Sequence, residues 1–233
     1  MLKKILKEDM GSSNLGWLES RFHFSFAKYR NPDNMNFGVL RVLNDDIIHP
    51  NSGFGKHPHR DMEIISYVID GAITHKDDMG NEETLYRGEV QYMSAGRGVM
   101  HSEYNYDNYK DLRLLQIWII PPSKNLDTIY GSYRYKESER KNKLLNLVSS
   151  LSGNSKVKVH QDINIFVAEL NIDKELKYDI SDNKQVYFVQ IEGASNINGI
   201  ELNYGDAMEI SYENFLHVKA IEKTHFLFIE MNK

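Results

Sequence analysis

Tyr67-Val68-Ile69-Asp70-Gly71-Ala72 returns later in the chain as Val189-Gln190-Ile191-Glu192-Gly193-Ala194. Each copy is a run of strand-forming residues closed by an acidic residue and a glycine, the pattern of a strand entering a tight turn. The surroundings repeat as well. Arg87-Gly88-Glu89-Val90 introduces a strand ending at Ser94, and Tyr204-Gly205-Asp206-Ala207 introduces one ending at Ser211. Each copy then closes on an apolar run, Leu114 to Ile120 and Phe226 to Met231. Working outward, Ile64 to Ile69, Glu89 to Met93, Ile163 to Leu170 and Gln185 to Ile191 are further short runs bounded by Gly, Asn and Asp. Many short strands at this spacing predict an all-β fold of sandwich or barrel type. The repeat makes it two barrels in tandem, over residues 1–134 and 156–233. A helical connection is expected over 135–155. Leu144, Leu145, Val148 and Leu151 recur at helical spacing and predict a helix over Glu137 to Leu151, with Gly153 as its cap.

The 233 residues carry a formal charge of −5 and a pI near 6.0, which argues against nucleic acid as a default partner. No apolar run is long enough for a membrane span, and the start of the chain lacks the apolar core of an export signal. There is no cysteine, so disulfides, thiolate metal sites and a cysteine nucleophile are excluded, and a cytoplasmic setting fits. Any metal must be held by nitrogen and oxygen.

His57-Pro58-His59 and His101-Ser102-Glu103 are the residues on which chemistry can be built. Side chains two apart on a strand point to the same face, so each pair can aim two groups into one barrel. Three imidazoles and a carboxylate would leave a coordination position for water or substrate, and suit Fe, Mn, Ni, Cu, Co or Zn. Pro58 cannot donate to a ladder and predicts an edge strand or a strand start. Gly53-Phe54-Gly55 and Gly96-Arg97-Gly98 precede the two pairs and permit close backbone approach. His23, His49, His75, His160 and His225 stand alone and read as hydrogen-bonded or solvated imidazoles; His75, lying between the two pairs, could also approach the site mouth.

Gly55 through Gly71 followed by Gly88 through His101 resembles the two halves of the cupin signature. More closely, Gly16-Trp17-Leu18, Phe24-Ser25-Phe26-Ala27, Phe37 through Asp46, His57-Pro58-His59-Arg60-Asp61-Met62-Glu63 and Gln91 through Gly98 resemble the pirin family. The resemblance extends through His101-Ser102-Glu103, His160-Gln161-Asp162 and Leu202 through Ala207. It implies two cupin (jelly-roll-type) β-barrels with one metal, usually Fe(II), in the N-terminal barrel on His57, His59, His101 and Glu103. Glu63 occupies the place of the usual cupin carboxylate ligand and is expected behind the ligands, either orienting a ligand imidazole or as a buried hydrogen-bonded carboxylate. Aligning the two halves sets Asp179, Ser181, Val218 and Ala220 against the ligands, so the C-terminal barrel should hold no metal. The implied activity is that of a quercetin 2,3-dioxygenase: a small aromatic substrate with an enol oxygen, and Glu103 as general base. The other class of function the family suggests is a metal- or redox-sensing module acting through protein partners.

Overall fold

The computed structural model describes all residues 1–233, and almost every ordered element is a strand. The first strands are β1 (Leu2–Ile5), β2 (Gly11–Asn14), β3 (Leu18–Phe22), β4 (Leu40–Ile48), β5 (Ser52–His59) and β6 (Glu63–Asp70). They are followed by β7 (Ala72–Asp77), β8 (Glu82–Tyr86), β9 (Val90–Ser94), β10 (Val99–Asn105), β11 (Leu112–Ile119) and β12 (Ile129–Tyr133). After a single helical turn, α1 (Glu137–Arg140), come β13 (Leu145–Ser150), β14 (Val157–Val159), β15 (Ile163–Leu170), β16 (Glu175–Asp179) and β17 (Lys184–Glu192). The last are β18 (Ser195–Ile197), β19 (Ile200–Leu202), β20 (Ala207–Ile210), β21 (Phe215–Ala220) and β22 (Thr224–Asn232).

The chain divides into two compact units, and each is built from one seven-stranded and one four-stranded antiparallel sheet. The first has the orders β12-β9-β6-β11-β4-β3-β2 and β5-β10-β7-β8; the second has β1-β20-β17-β22-β15-β13-β14 and β16-β21-β18-β19. The four-stranded sheets and the inner strands β9-β6-β11-β4 and β20-β17-β22-β15 correspond in position and in chain order, so the repeat read from the sequence is a repeat of architecture. Gly71 and Gly193 show why its glycine recurs. Their φ angles are +75° and +68°, and a Cβ at either would strike the backbone at Asp111 or Lys223, the residue that leads into the neighbouring strand of the larger sheet.

Two expectations are corrected. The helix predicted over Glu137 to Leu151 is confined to Glu137–Arg140, and Leu145–Ser150 is a strand paired with β15. The helix ends at Lys141, whose backbone is already extended at ψ 113°, and Asn142, at φ 54°, turns the chain onward. A bulge between Asn146 and Val148 then leaves Leu147 and Val148 as two consecutive buried positions, and this breaks the strand alternation into a spacing that imitates a helix. The boundary at residue 134 also moves. Met1–Met10 belongs to the second unit, where β1 pairs along β20, while Val159–Gln161 belongs to the first. In the second unit β1 takes the place that β12 takes in the first.

Inside the first unit, Leu18, Ile48, Val68, Ile73, Leu85, Leu112 and Leu114 close one end of the barrel, and Ile64, Met93, Ala95 and Val99 pack the other. Burying each large aliphatic side chain contributes about 1.5–3 kcal/mol. Between these apolar layers lies a polar one.

Candidate metal centre

β5 and β10 pair so that His101 faces His57 and Val99 faces His59. His57 and His59 therefore share the inner face of β5, with Pro58 exposed on what is the edge strand of its sheet. Between Phe54 and His57 the register slips, a bulge that re-aims the strand at the point where it delivers its first imidazole. Gly53 is required there because any Cβ would collide with the Glu103 carbonyl oxygen.

The ring nitrogens of His57, His59 and His101 lie within 4.8 Å of one another, a cluster that could hold a metal ion. His57 Nδ1 sits 2.7 Å from the Gly55 carbonyl oxygen and donates to it, which leaves Nε2 bare. That Nε2 is 3.1 Å from His101 Nε2. Burial, then the neighbouring His101 and His57 rings, lower the His59 pKa to about 4. Burial, then His57 and His75, lower that of His101 to about 3. Both rings are neutral near pH 7, and facing bare imidazole nitrogens are a donor set that suits a divalent transition metal.

Glu103 is placed differently from the imidazoles. It is 2% exposed, and its ligand atoms group with His75 and His101 rather than with His57 and His59. Its carboxylate is held from the opposite sheet: Ser66 Oγ (3.1 Å) and Gln91 Nε2 (2.5 Å) donate to Oε1, and Gln116 Nε2 (2.8 Å) donates to Oε2. Cross-strand pairing puts Gln91, Ser66, Gln116 and Asn44 in one row across β9, β6, β11 and β4. This row is the polar layer of the barrel.

The second unit supplies the contrast. With Gly71 on Gly193, the ladders set Met208, Phe188, Phe228 and Phe166 against that polar row. Val218, paired with Ile197, takes the place of Glu103, paired with His75. The halves thus match with Leu216 and Val218 against His101 and Glu103, two residues from the alignment made on sequence alone. The aromatic side chains stack, Phe166 on Phe228 at 4.9 Å, in an apolar core. His217 lies on the other face, where its Nε2 meets Glu175 at 3.0 Å.

Glu63 does not orient a ligand imidazole. Three positions from Ser66 on β6, it faces the opposite side of the sheet. There, fully buried, it accepts hydrogen bonds from Tyr92 Oη (2.7 Å) and from the backbone N–H groups of His160 (2.6 Å) and Gln161 (3.0 Å). The carboxylate fixes the Val159–Gln161 segment to the first unit.

His75, isolated in the sequence or near the site mouth by its place between the two pairs, stands beside the cluster. It is fully buried, pairs with Glu103 across the β7–β10 ladder and stacks on Tyr130 at 4.4 Å. Its Nε2 is 3.2 Å from Asp77 Oδ2 and its Nδ1 3.4 Å from His101 Nδ1. Burial raises the Asp77 pKa, but hydrogen bonds from Asn81, His75 and Met79 outweigh it and hold the carboxyl below its usual range. Asp77 is therefore ionised and takes the Nε2 hydrogen of His75. His75 Nδ1 then accepts from His101 Nδ1, and the bare nitrogen of His101 is the one turned to His57. Nothing near position 75 in sequence reveals this, because its partner in the ladder is 28 residues away at Glu103. Ser66, Gln91 and Gln116 did leave a signal, as polar residues set between apolar neighbours in mostly buried strands.

His57, His59 and Glu103 open on a cavity of about 260 Å³ within this unit, walled by Phe22, Phe26, Phe54 and Trp118. Asn44, Asp46 and Ser20 form its polar side. The volume lies close to the lower end of the ~300–1,000 Å³ usual for small-molecule sites.

Comparison with known proteins places this geometry. Residues 5–119 match the Pirin family model, and residues 147–231 match the quercetinase C-terminal cupin domain. A pirin-like protein of Caulobacter vibrioides is 39% identical over 224 residues, 96% of either chain. Quercetin 2,3-dioxygenase of Escherichia coli K12 is 37% identical over 96% of this chain and 95% of that protein. The solved structure of bacterial pirin YhhW from Escherichia coli in complex with nickel(II) superposes with a TM-score of 0.93, at 35% identity, over 100% of this chain and 99% of the other. The chain belongs to the pirin family, with its pair of cupin barrels.

Proposed function

We propose that the first unit binds one divalent transition metal through His57, His59, His101 and Glu103 and acts as a dioxygenase on flavonol-like or other enol-bearing aromatic molecules. Fe(II) is the proposed working ion, and Mn, Ni, Co, Cu or Zn suit the same donors. The observation that carries the reading is the union of the two features: a His/Glu cluster opening directly on an aromatic-walled cavity. The name of the Escherichia coli relative supports the same class of substrate.

A divalent ion held there supplies Lewis acidity that eases deprotonation of an enol oxygen and, when redox-active, a route for electrons toward dioxygen. The chain's own residues do the rest. Phe54 and Trp118 sandwich or edge a flat ring and keep water from it. Glu103 receives the enol proton. Each carboxylate oxygen accepts one amide N–H, from Gln91 on Oε1 and from Gln116 on Oε2, and keeps a lone pair for the proton. Ser66, Gln91 and Gln116 fix the carboxylate so that no reorganisation is needed when the proton arrives.

The test is anaerobic reconstitution with each metal in turn, followed by oxygen uptake with quercetin. Uptake should track one ion and fall by ~10²-fold or more in Glu103→Gln. Stoichiometric metal with no uptake for any ion would reject the oxygenase and leave the family's other class, a metal- or redox-sensing module working through protein partners.

A further inference from the structure

The polar row across the first barrel is only partly committed to Glu103. Gln91, Ser66 and Gln116 each donate to that carboxylate, but Asn44, the fourth member, does not: its Oδ1 is buried without a hydrogen-bond partner. Asp46 follows on the same inner face of β4. One carboxyl oxygen is met by the Ser20 hydroxyl, and Oδ1 is again buried and unpartnered. Both residues are 3% exposed, and both line the cavity. Buried polar atoms in folded proteins are nearly always paired. Asn44 Oδ1, Asp46 Oδ1 and Trp118 Nε1, all on residues of this cavity, are exceptions, as is Gln91 Oε1 in the polar row, and the neighbouring pair on β4 requires a cause. The architecture does not supply it. In the second unit the same ladder positions hold Phe166 and Ala168.

We infer that Asn44 and Asp46 form a recognition point for a hydroxyl group of the ligand, distinct from the oxygen that addresses the imidazole cluster. This rests on the functional reading above and narrows it, to aromatic molecules that carry a second hydroxyl. A hydroxyl both gives and accepts a hydrogen, and it meets an amide oxygen that accepts beside a carboxyl that can do either. Burial pushes the Asp46 pKa up to about 7, helped by Asp45 and Glu103 and opposed by Ser20, so near neutral pH the carboxyl is present both with and without its proton. A ligand lacking the hydroxyl would leave both oxygens buried and unsatisfied, and this asymmetry is what makes such a site selective.

The full chain loaded with Zn(II) is titrated, with dioxygen excluded so that no turnover can occur, with quercetin and with 3-hydroxyflavone. The second keeps the enol and ketone but lacks the other hydroxyls. Wild type should prefer quercetin by roughly tenfold or more. In Asn44→Leu and Asp46→Leu the preference should shrink to about twofold, with 3-hydroxyflavone affinity and zinc content unchanged. If a leucine variant fails to fold, Asn44→Ala and Asp46→Ala make the same comparison. A preference that survives in the folded variants overturns the inference and leaves the functional reading standing. Failure of both flavonols to bind the zinc-loaded wild type overturns both.

Discussion

His75 joins an ionised carboxylate to an imidazole of the cluster. Asp77 takes its Nε2 hydrogen, and its Nδ1 accepts from His101. Partners of this kind set the tautomer and direction of a metal ligand, and their loss typically lowers affinity 10–100-fold. His75→Phe retains a ring to stack on Tyr130 and removes both nitrogens. Its affinity for Zn(II), measured by competition with a chromophoric chelator, should fall within that range at unchanged stoichiometry. Complete loss of binding would instead make His75 a ligand, and an unchanged affinity would reject the role. The buried imidazoles also make an acid-sensitive protein. Burial, with Arg21, lowers the His23 pKa to about 4 against the opposing pull of Asp45. The unfolded chain binds this proton first, near pH 6.5. Stability is therefore full above pH 6.5 and lost as pH falls toward 4, by up to about 3 kcal/mol for His23. His59 and His101 add to the loss in metal-free protein. Asp46, raised to about 7, acts in the opposite sense, stabilising as pH falls from 7 toward 3.8. Three histidines outweigh one carboxyl, so the urea midpoint of chelator-treated protein should drop between pH 6.5 and 4. A rising midpoint would contradict it.

Strands explain which parts of the site could be read in advance. His57-Pro58-His59 and His101-Ser102-Glu103 were legible because a period of two is a local property of a strand, and two such pairs need only be brought side by side. The β5–β10 ladder does so. What the ladder adds was not legible. It brings His75 opposite Glu103 and collects Gln91, Ser66, Gln116 and Asn44 from four strands into one row. Glu63 lay within the motif but at odd spacing from Ser66, which put it on the far face of β6. The helix expected over residues 137–151 failed for a related reason. A bulge adds one residue to a strand, and two consecutive buried positions, Leu147 and Val148, then resemble the stripe of a helix.

Over the whole molecule, one plan serves two interiors. In the first unit a polar row supports Glu103 between apolar layers; in the second, stacked phenylalanines fill the same level. The repeat in the sequence disclosed the shared plan, since its glycines mark the turns of that plan. It could not disclose that Met1–Met10 completes the second unit, because pairing between β1 and β20 leaves no mark in local composition. Deleting residues 1–10 removes β1 along with the half-buried Leu2 and Ile5 and the Lys4–Asp206 ion pair. The second unit should lose about 2–4 kcal/mol, since two partly covered aliphatic residues and four ladder positions go together. Calorimetry should show its transition at lower temperature, while zinc binding by the first unit persists. An unchanged thermogram would show that β1 contributes nothing to stability.

Pairing β1 with β20 also sets a timetable. On a ribosome adding ~5–20 residues per second, β20 is made roughly 10–40 s after β1. Through that interval Leu2-Lys3-Lys4-Ile5 has no strand to join. Its aliphatic residues must be sticky enough to seal a sheet edge at the end of synthesis, and its lysines charged enough to keep the nascent segment from pairing with a neighbouring chain before then. The composition of these four residues thus answers to the order of translation as well as to the finished barrel.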